Sequence, residues 1–258
     1  LEIGDMLVTT GDYEGAVDEW VRAIGEDGAE ATAIGRRVQG LTQDREAAAR
    51  RLVRALSRSE GLPKRRAGAR IALDLGLGPE ALDLSKEVAS DLTGRAREAF
   101  LNDVARRARE KDLSQAASWA LAELGGDASN PTQRRQFDQR ILDVALAAGD
   151  TAAALEAQRR IADSFSAGSV DRRRATAQVI RFEGAEADPE RLGELLKDFR
   201  DEFPDAPELD DLAATVASGL LARGDAPGAA AVLDGIEGPR SGIERAYLLF
   251  DAGEVEEG

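Results

Sequence analysis

The chain has 258 residues and contains neither histidine nor cysteine. The commonest general base, the commonest metal ligands and the thiol nucleophile are therefore missing. Carboxylates are what remains for chemistry. Asp201, Glu202, Asp205, Glu208, Asp210 and Asp211 crowd into one short segment. Oxygen ligands at that density could hold Ca²⁺, and a close carboxyl pair could divide acid and base roles. No loop places ligands at the alternate positions that a calcium site needs, so the segment reads as a solvated acidic turn. Gly76-Leu77-Gly78-Pro79-Glu80-Ala81 has the glycine content of a phosphate-cradling loop. Nothing before it reads as a strand, so a turn is expected instead. Asn130-Pro131-Thr132 is no glycosylation site, because proline blocks it. No catalytic residue, cofactor-binding residue or metal ligand is expected, and the chain reads as a non-enzyme.

The charge narrows the partners. The formal net charge is −15, with a pI near 4.6. Such a field repels phosphate backbones and anionic membranes, which argues against nucleic acid. Lys64-Arg65-Arg66 and Arg172-Arg173-Arg174 are local basic patches and read as solvated helix faces. Of 34 basic residues only Lys64, Lys86, Lys111 and Lys197 are lysine. That skew reads as genomic base composition rather than phosphate recognition. No apolar run reaches the length of about 18 residues that crosses a bilayer, so direct membrane insertion is not expected.

The elements behind these residues are helices. Phe137, Ile141, Val144, Ala145 and Ala148 fall on one face at helical spacing, and so do Leu212, Val216, Ala217, Leu220 and Leu221. No segment alternates at period two for long enough to be a strand. Gly11, Gly40, Gly76, Gly149, Gly224 and Gly253 mark helix stops, and prolines and Asp or Thr mark starts. The pattern predicts helix pairs at 1–10 with 13–25, 29–38 with 43–57, 63–75 with 79–90 and 94–110 with 113–125. It continues with 131–148 and 151–165, 170–183 and 188–202, 207–223 and 226–236, then a lone helix at 241–252. Trp20 and Trp119 fall on second helices, where core packing is expected.

One phrase recurs along these pairs. Gly11-Asp12-Tyr13-Glu14-Gly15-Ala16 places a small turn residue five positions before an alanine. Gly76 with Ala81, Gly149 with Ala154 and Gly224 with Ala229 repeat the step, and Lys111 with Ala116 fits with lysine at the turn. The turns at 76, 111, 149, 184 and 224 are roughly 35 to 40 residues apart. A fixed period in this range marks a repeat array, whose length counts repeats rather than domains.

Residues 3–23 resemble the tetratricopeptide repeat, through Ile3, Gly4, Leu7, Gly11, Ala16, Trp20 and Ala23. Residues 216–236 resemble it through Val216, Ala217, Leu220, Gly224, Ala229, Leu233 and Ile236. Residues 141–161 match through Ile141, Ala145, Gly149 and Ala154, with Gln158 in place of the family's aromatic. The resemblance implies an all-α, right-handed α-solenoid of antiparallel helical hairpins. It would run as one array over residues 1–258, with about seven pairs and a final first helix, as a fragment of a longer chain. It implies a protein-interaction scaffold or assembly factor that binds a protein or peptide segment. A recognition arm of a larger enzyme or transporter is the alternative. First helices line the concave groove in this family. Arg66 and Arg70 share one first-helix face, as do Gln136 and Arg140, and these four are the candidate partner contacts. Tyr247 and Phe250, near an open C-terminal end, are the others. The family's carboxylate clamp needs spaced Lys, Arg and Asn, and no such constellation is present. The stretch Phe199 to Glu208 also resembles inter-repeat loops of bacterial envelope tetratricopeptide proteins, which implies a periplasmic location.

Overall fold

The structure, a computed structural model, describes residues 1–25, 28–184 and 189–251, without side chains at 189, 190, 250 and 251. Every element among the described residues is helical. The chain divides into two compact units, Leu1–Ala148 and Gly149–Gly258. The first unit holds α1 (Glu2–Thr9), α2 (Tyr13–Ala23), α3 (Ala31–Gln39), α4 (Arg45–Ser57), α5 (Leu62–Asp74), α6 (Gly78–Ser90), α7 (Gly94–Glu110), α8 (Ser114–Gly126) and α9 (Pro131–Ala148). The second holds α10 (Thr151–Asp163), α11 (Val170–Glu183), α12 (Pro189–Glu202), α13 (Leu209–Ala222), α14 (Ala226–Leu233) and α15 (Pro239–Asp251). The helices expected from sequence all appear within a few residues of their predicted bounds.

Within the first unit the helices form two layers. First helices α3, α5 and α7 touch in series, and so do second helices α2 with α4 and α6 with α8. First helices α5, α7 and α9 also pack on the second helices before them, α4, α6 and α8. In the second unit α11 packs on α10, α13 pairs with α14, and α15 lies against α13.

The recurring phrase builds the turn by a double use of one residue. Gly11 has φ +81°, a left-handed conformation that glycine adopts without strain. This turns the chain so that the Asp12 amide donates to the Leu7 carbonyl at 2.9 Å, closing α1. The Asp12 carboxylate then accepts from the Gly15 amide at 2.9 Å, opening α2. Asp225 repeats both bonds, to Leu220 at 3.0 Å and from Gly228 at 3.0 Å. Asp150 likewise accepts from the Ala153 amide at 3.0 Å.

The register at residue 111 differs from the sequence expectation. Lys111 has φ −118°, and the left-handed residue is Asp112, at φ +56°. Aspartate is among the few non-glycine residues that tolerate this region. The closing bond runs from the Leu113 amide to the Ala108 carbonyl at 2.8 Å. The alanine equivalent to Ala16 is therefore Ala117, not Ala116. Ala16, Ala81, Ala117, Ala154 and Ala229 are each fully buried, at 0% exposure. Gly184 is also no turn of this kind, since its φ is −55°.

The same register explains the tryptophans. Trp20 lies eight residues after its cap and is buried, with the Gly4 backbone against its indole. A Cβ built on Gly4 would sit 2.4 Å from Trp20 Nε1, so only glycine allows this contact. The equivalent positions are Ser85, Leu121, Gln158 and Leu233, all buried. Trp119 is not among them and is only half-buried, which corrects its assignment to the core. Gln158 compensates for its polarity by donating to the Ala175 carbonyl of α11 at 3.1 Å. The Ser85 hydroxyl is buried without a hydrogen-bond partner. Losing an unpaired hydroxyl costs little, whereas losing Gln158 removes a buried hydrogen bond together with the volume of its side chain. Ser85→Ala is expected to be neutral or stabilising by up to about 1 kcal/mol, and Gln158→Ala to destabilise by about 1–3 kcal/mol. Chemical denaturation midpoints of the two variants measure this difference, and its reversal would contradict the burial described.

Candidate functional site

Many arginines are tied to carboxylates about one repeat away. In the first unit Arg37 reaches Asp5 at 2.8 Å, Arg51 reaches Asp18 at 2.9 Å, and Arg50 reaches Glu80 at 3.1 Å. Arg70 reaches Asp103 at 3.0 Å and Arg107 reaches Asp74 at 2.6 Å. In the second unit Arg172 reaches Glu202 at 3.0 Å, Arg173 reaches Glu208 at 3.1 Å, and Arg181 reaches Asp211 at 3.0 Å. Arg51 engages the two oxygens of Asp18 through Nε and Nη2, whereas Arg37 reaches both oxygens of Asp5 through Nε alone. The planar fork at Arg51 is something lysine cannot supply, so arginine has a structural use there. Exposed pairs of this kind are worth about 0.2–1 kcal/mol each. Their larger effect is to fix which residues face each other between neighbouring repeats.

These pairs also correct the reading of residues 201–211 as a solvated acidic turn. Glu202 accepts from the Gly168 amide and pairs with Arg172. Asp211 pairs with Arg181 and Arg240. Asp210 accepts from the Ser241 amide at 2.8 Å and the Arg240 amide at 3.1 Å, and from the Ser241 hydroxyl. It thereby caps the start of α15 from α13. Arg172 and Arg173 of the second basic patch are spent in the same way, while Arg174 is exposed. Among the described residues no cluster of three or more acidic side chains is arranged to hold a metal ion.

Asp5, Asp18, Asp103 and Asp210 titrate below the ordinary carboxyl value of 3.8. For Asp5 and Asp18 the hydrogen bonds from Arg37 and Arg51 are the main cause. For Asp103 and Asp210 burial opposes the shift, but Arg106 and Arg107 outweigh it at the first, and Ser241 and Arg240 at the second. A carboxyl with a lowered folded-state pKa stabilises the fold above its unfolded value. That contribution is lost as pH falls through the folded value. Melting temperature is therefore expected to hold from pH 7 down to the region of the pI and to fall below about pH 4. A melting temperature that keeps rising below pH 4 would contradict this assignment.

The first four candidate contacts fall into two groups. In the first, Arg66 places its guanidinium 5.7 Å from the centre of the Phe100 ring on α7, and Arg70 is held by Asp103. Asp103 is shared with Arg106 and Arg107. The second group lies within α9, where Arg140 sits 5.7 Å from the centre of the Phe137 ring and Gln136 is exposed beside it. Arg66 has a buried Nε without a hydrogen-bond partner. Phe100 and Asp103 were missed from sequence, although each lies one repeat beyond the arginine it meets. On α15 Tyr247 is 64% exposed, one turn after the exposed Ile243. The side chain of Phe250 lies outside the described residues.

No family model matches the chain, and no curated protein matches it. Among solved structures, one match is a Podosopora anserina protein of nearly identical TPR-like repeats, assigned as a kinesin light chain. It is 16% identical, covers 72% of this chain and 95% of its own, and has a TM-score of 0.39. A singly substituted form of that protein is 17% identical, covers 75% and 96%, and has a TM-score of 0.37. BtubC (BKLC) from P. vanneervenii is 13% identical, covers 90% and 92%, and has a TM-score of 0.36. Scores this low carry no argument about what the chain binds, and the repeat assignment rests on its own hairpins. None of these findings supports the periplasmic expectation.

Proposed function

We propose that these tetratricopeptide-like hairpins form a non-enzymatic interaction scaffold, or assembly factor, that binds a protein segment along first helices α5, α7 and α9. The observation that carries the reading is the pair of arginine–phenylalanine contacts on those helices, Arg66 with Phe100 and Arg140 with Phe137. Phe100 is buried and holds Arg66 in place, Phe137 is half-buried beneath Arg140, and arginine is enriched at the energetic centres of protein interfaces. Arg66 retains donors for a partner's carboxylate or carbonyl, and Gln136 extends the same chemistry on α9. The absence of histidine and cysteine supports a non-catalytic reading. One array running through all 258 residues belongs to this proposal.

The test begins with the partner that co-purifies from the native source. Arg66→Glu combined with Arg140→Glu is expected to slow its association, more at low salt than at high salt. Arg70 is a poorer target, because glutamate there would face Asp103 and weaken the fold itself. An unchanged association rate at low salt would sink the first-helix reading. The exposed face of α15 around Tyr247 would then be the better candidate.

A further inference from the structure

We propose that the outer face of α4 is a separate docking surface for an acidic protein segment. Residues 45–70 hold nine of the chain's 34 basic residues and only two of its 49 acidic ones. Arg51, Arg54 and Arg58 stand at i, i+3 and i+7, which puts them on one side of the helix. Arg51 is engaged by Glu14 and Asp18 of the preceding hairpin. Arg54 and Arg58 are exposed and have no carboxylate partner among the described residues. They break the pattern that pairs Arg50 forward to Glu80 and Arg51 back to Asp18.

The surface beside this stripe is concave. A cleft of about 570 Å³ runs between α4 and the start of α2, lined by Asp44, Arg50, Arg51 and Arg54 on the α4 side and by Asp12, Tyr13 and Glu14 on the other. The occupant is thus a segment whose carboxylates meet Arg54 and Arg58, with its polar backbone or a basic residue toward Glu14 and Asp44. A continuous phosphate backbone would meet those carboxylates and the chain's net charge of −15, so nucleic acid is disfavoured. The surface lies on a second helix and does not depend on the α5–α9 reading.

The test uses the full chain and a fluorescently labelled glutamate-rich peptide, read by anisotropy at low and high salt. Salt-sensitive binding is expected, weakened at least about tenfold by Arg54→Glu with Arg58→Glu. Arg95→Glu with Arg109→Glu, two exposed arginines on α7 without a carboxylate partner among the described residues, makes the same charge change elsewhere and should leave affinity within about twofold. Arg54→Ala with Arg58→Ala should weaken binding less than the reversal, with an unchanged circular dichroism spectrum. The proposal is overturned if the wild-type chain ignores the peptide, if both reversals weaken it equally, or if a single-stranded oligonucleotide of matched charge binds as tightly.

Discussion

Ala229→Arg is expected to lower the melting temperature of the chain by roughly 6–20 °C, while Ala230→Arg one position later leaves it nearly unchanged. Ala229 is at 0% exposure in α14, where its amide bonds the Asp225 carbonyl at 3.1 Å and the turn locks its direction. Ala230 is exposed. An arginine at the first position must either bury an unpaired charge or push α14 off α13, and an unpaired buried charge costs about 3–5 kcal/mol. At the second position the guanidinium reaches water. The contrast tests the repeat register rather than general tolerance, since both variants add the same side chain to the same helix. Equal melting temperatures would mean that the turn residue and the buried alanine have been matched wrongly.

Trp20→Ala is the second large effect, expected to destabilise the first unit by about 3–5 kcal/mol through the cavity it leaves. The indole is 1% exposed and closes against the bare backbone of Gly4, the buried residue of α1. Gly4→Val should reproduce part of the loss by the opposite route, because its side chain would collide with the indole. Chemical denaturation monitored by tryptophan fluorescence and by circular dichroism measures both. Wild-type stability in Trp20→Ala would contradict the burial of the indole.

The helices were legible in the sequence because Ala and Leu recur at helical spacing and because Gly-Asp pairs mark turns such as Gly11-Asp12 and Gly224-Asp225. The turn at Asp112 was displaced by one residue because aspartate can replace glycine in the left-handed region, and composition alone does not show which neighbour does so. With the turn at Asp112, the position equivalent to Trp20 is Leu121, and Trp119 lies two residues before it. The fates of the arginines were illegible for a different reason. Arg66 meets Phe100 and Arg70 meets Asp103 at separations of about one repeat, so runs such as Lys64-Arg65-Arg66 look solvated when read locally. Setting each helix against the one a period later would have exposed both contacts. The basic stripe of α4 escaped notice because its members are spaced along a helix and do not form a run.

The scaffold reading is tested most directly by hydrogen exchange, measured by mass spectrometry on the chain with and without its co-purified partner. Slowed exchange at the exposed ends of α5, α7 and α9 is the result the account predicts, with the turn at Gly11 unaffected. Exchange unchanged across those three helices, with any protection confined to second helices or to α15, would contradict it.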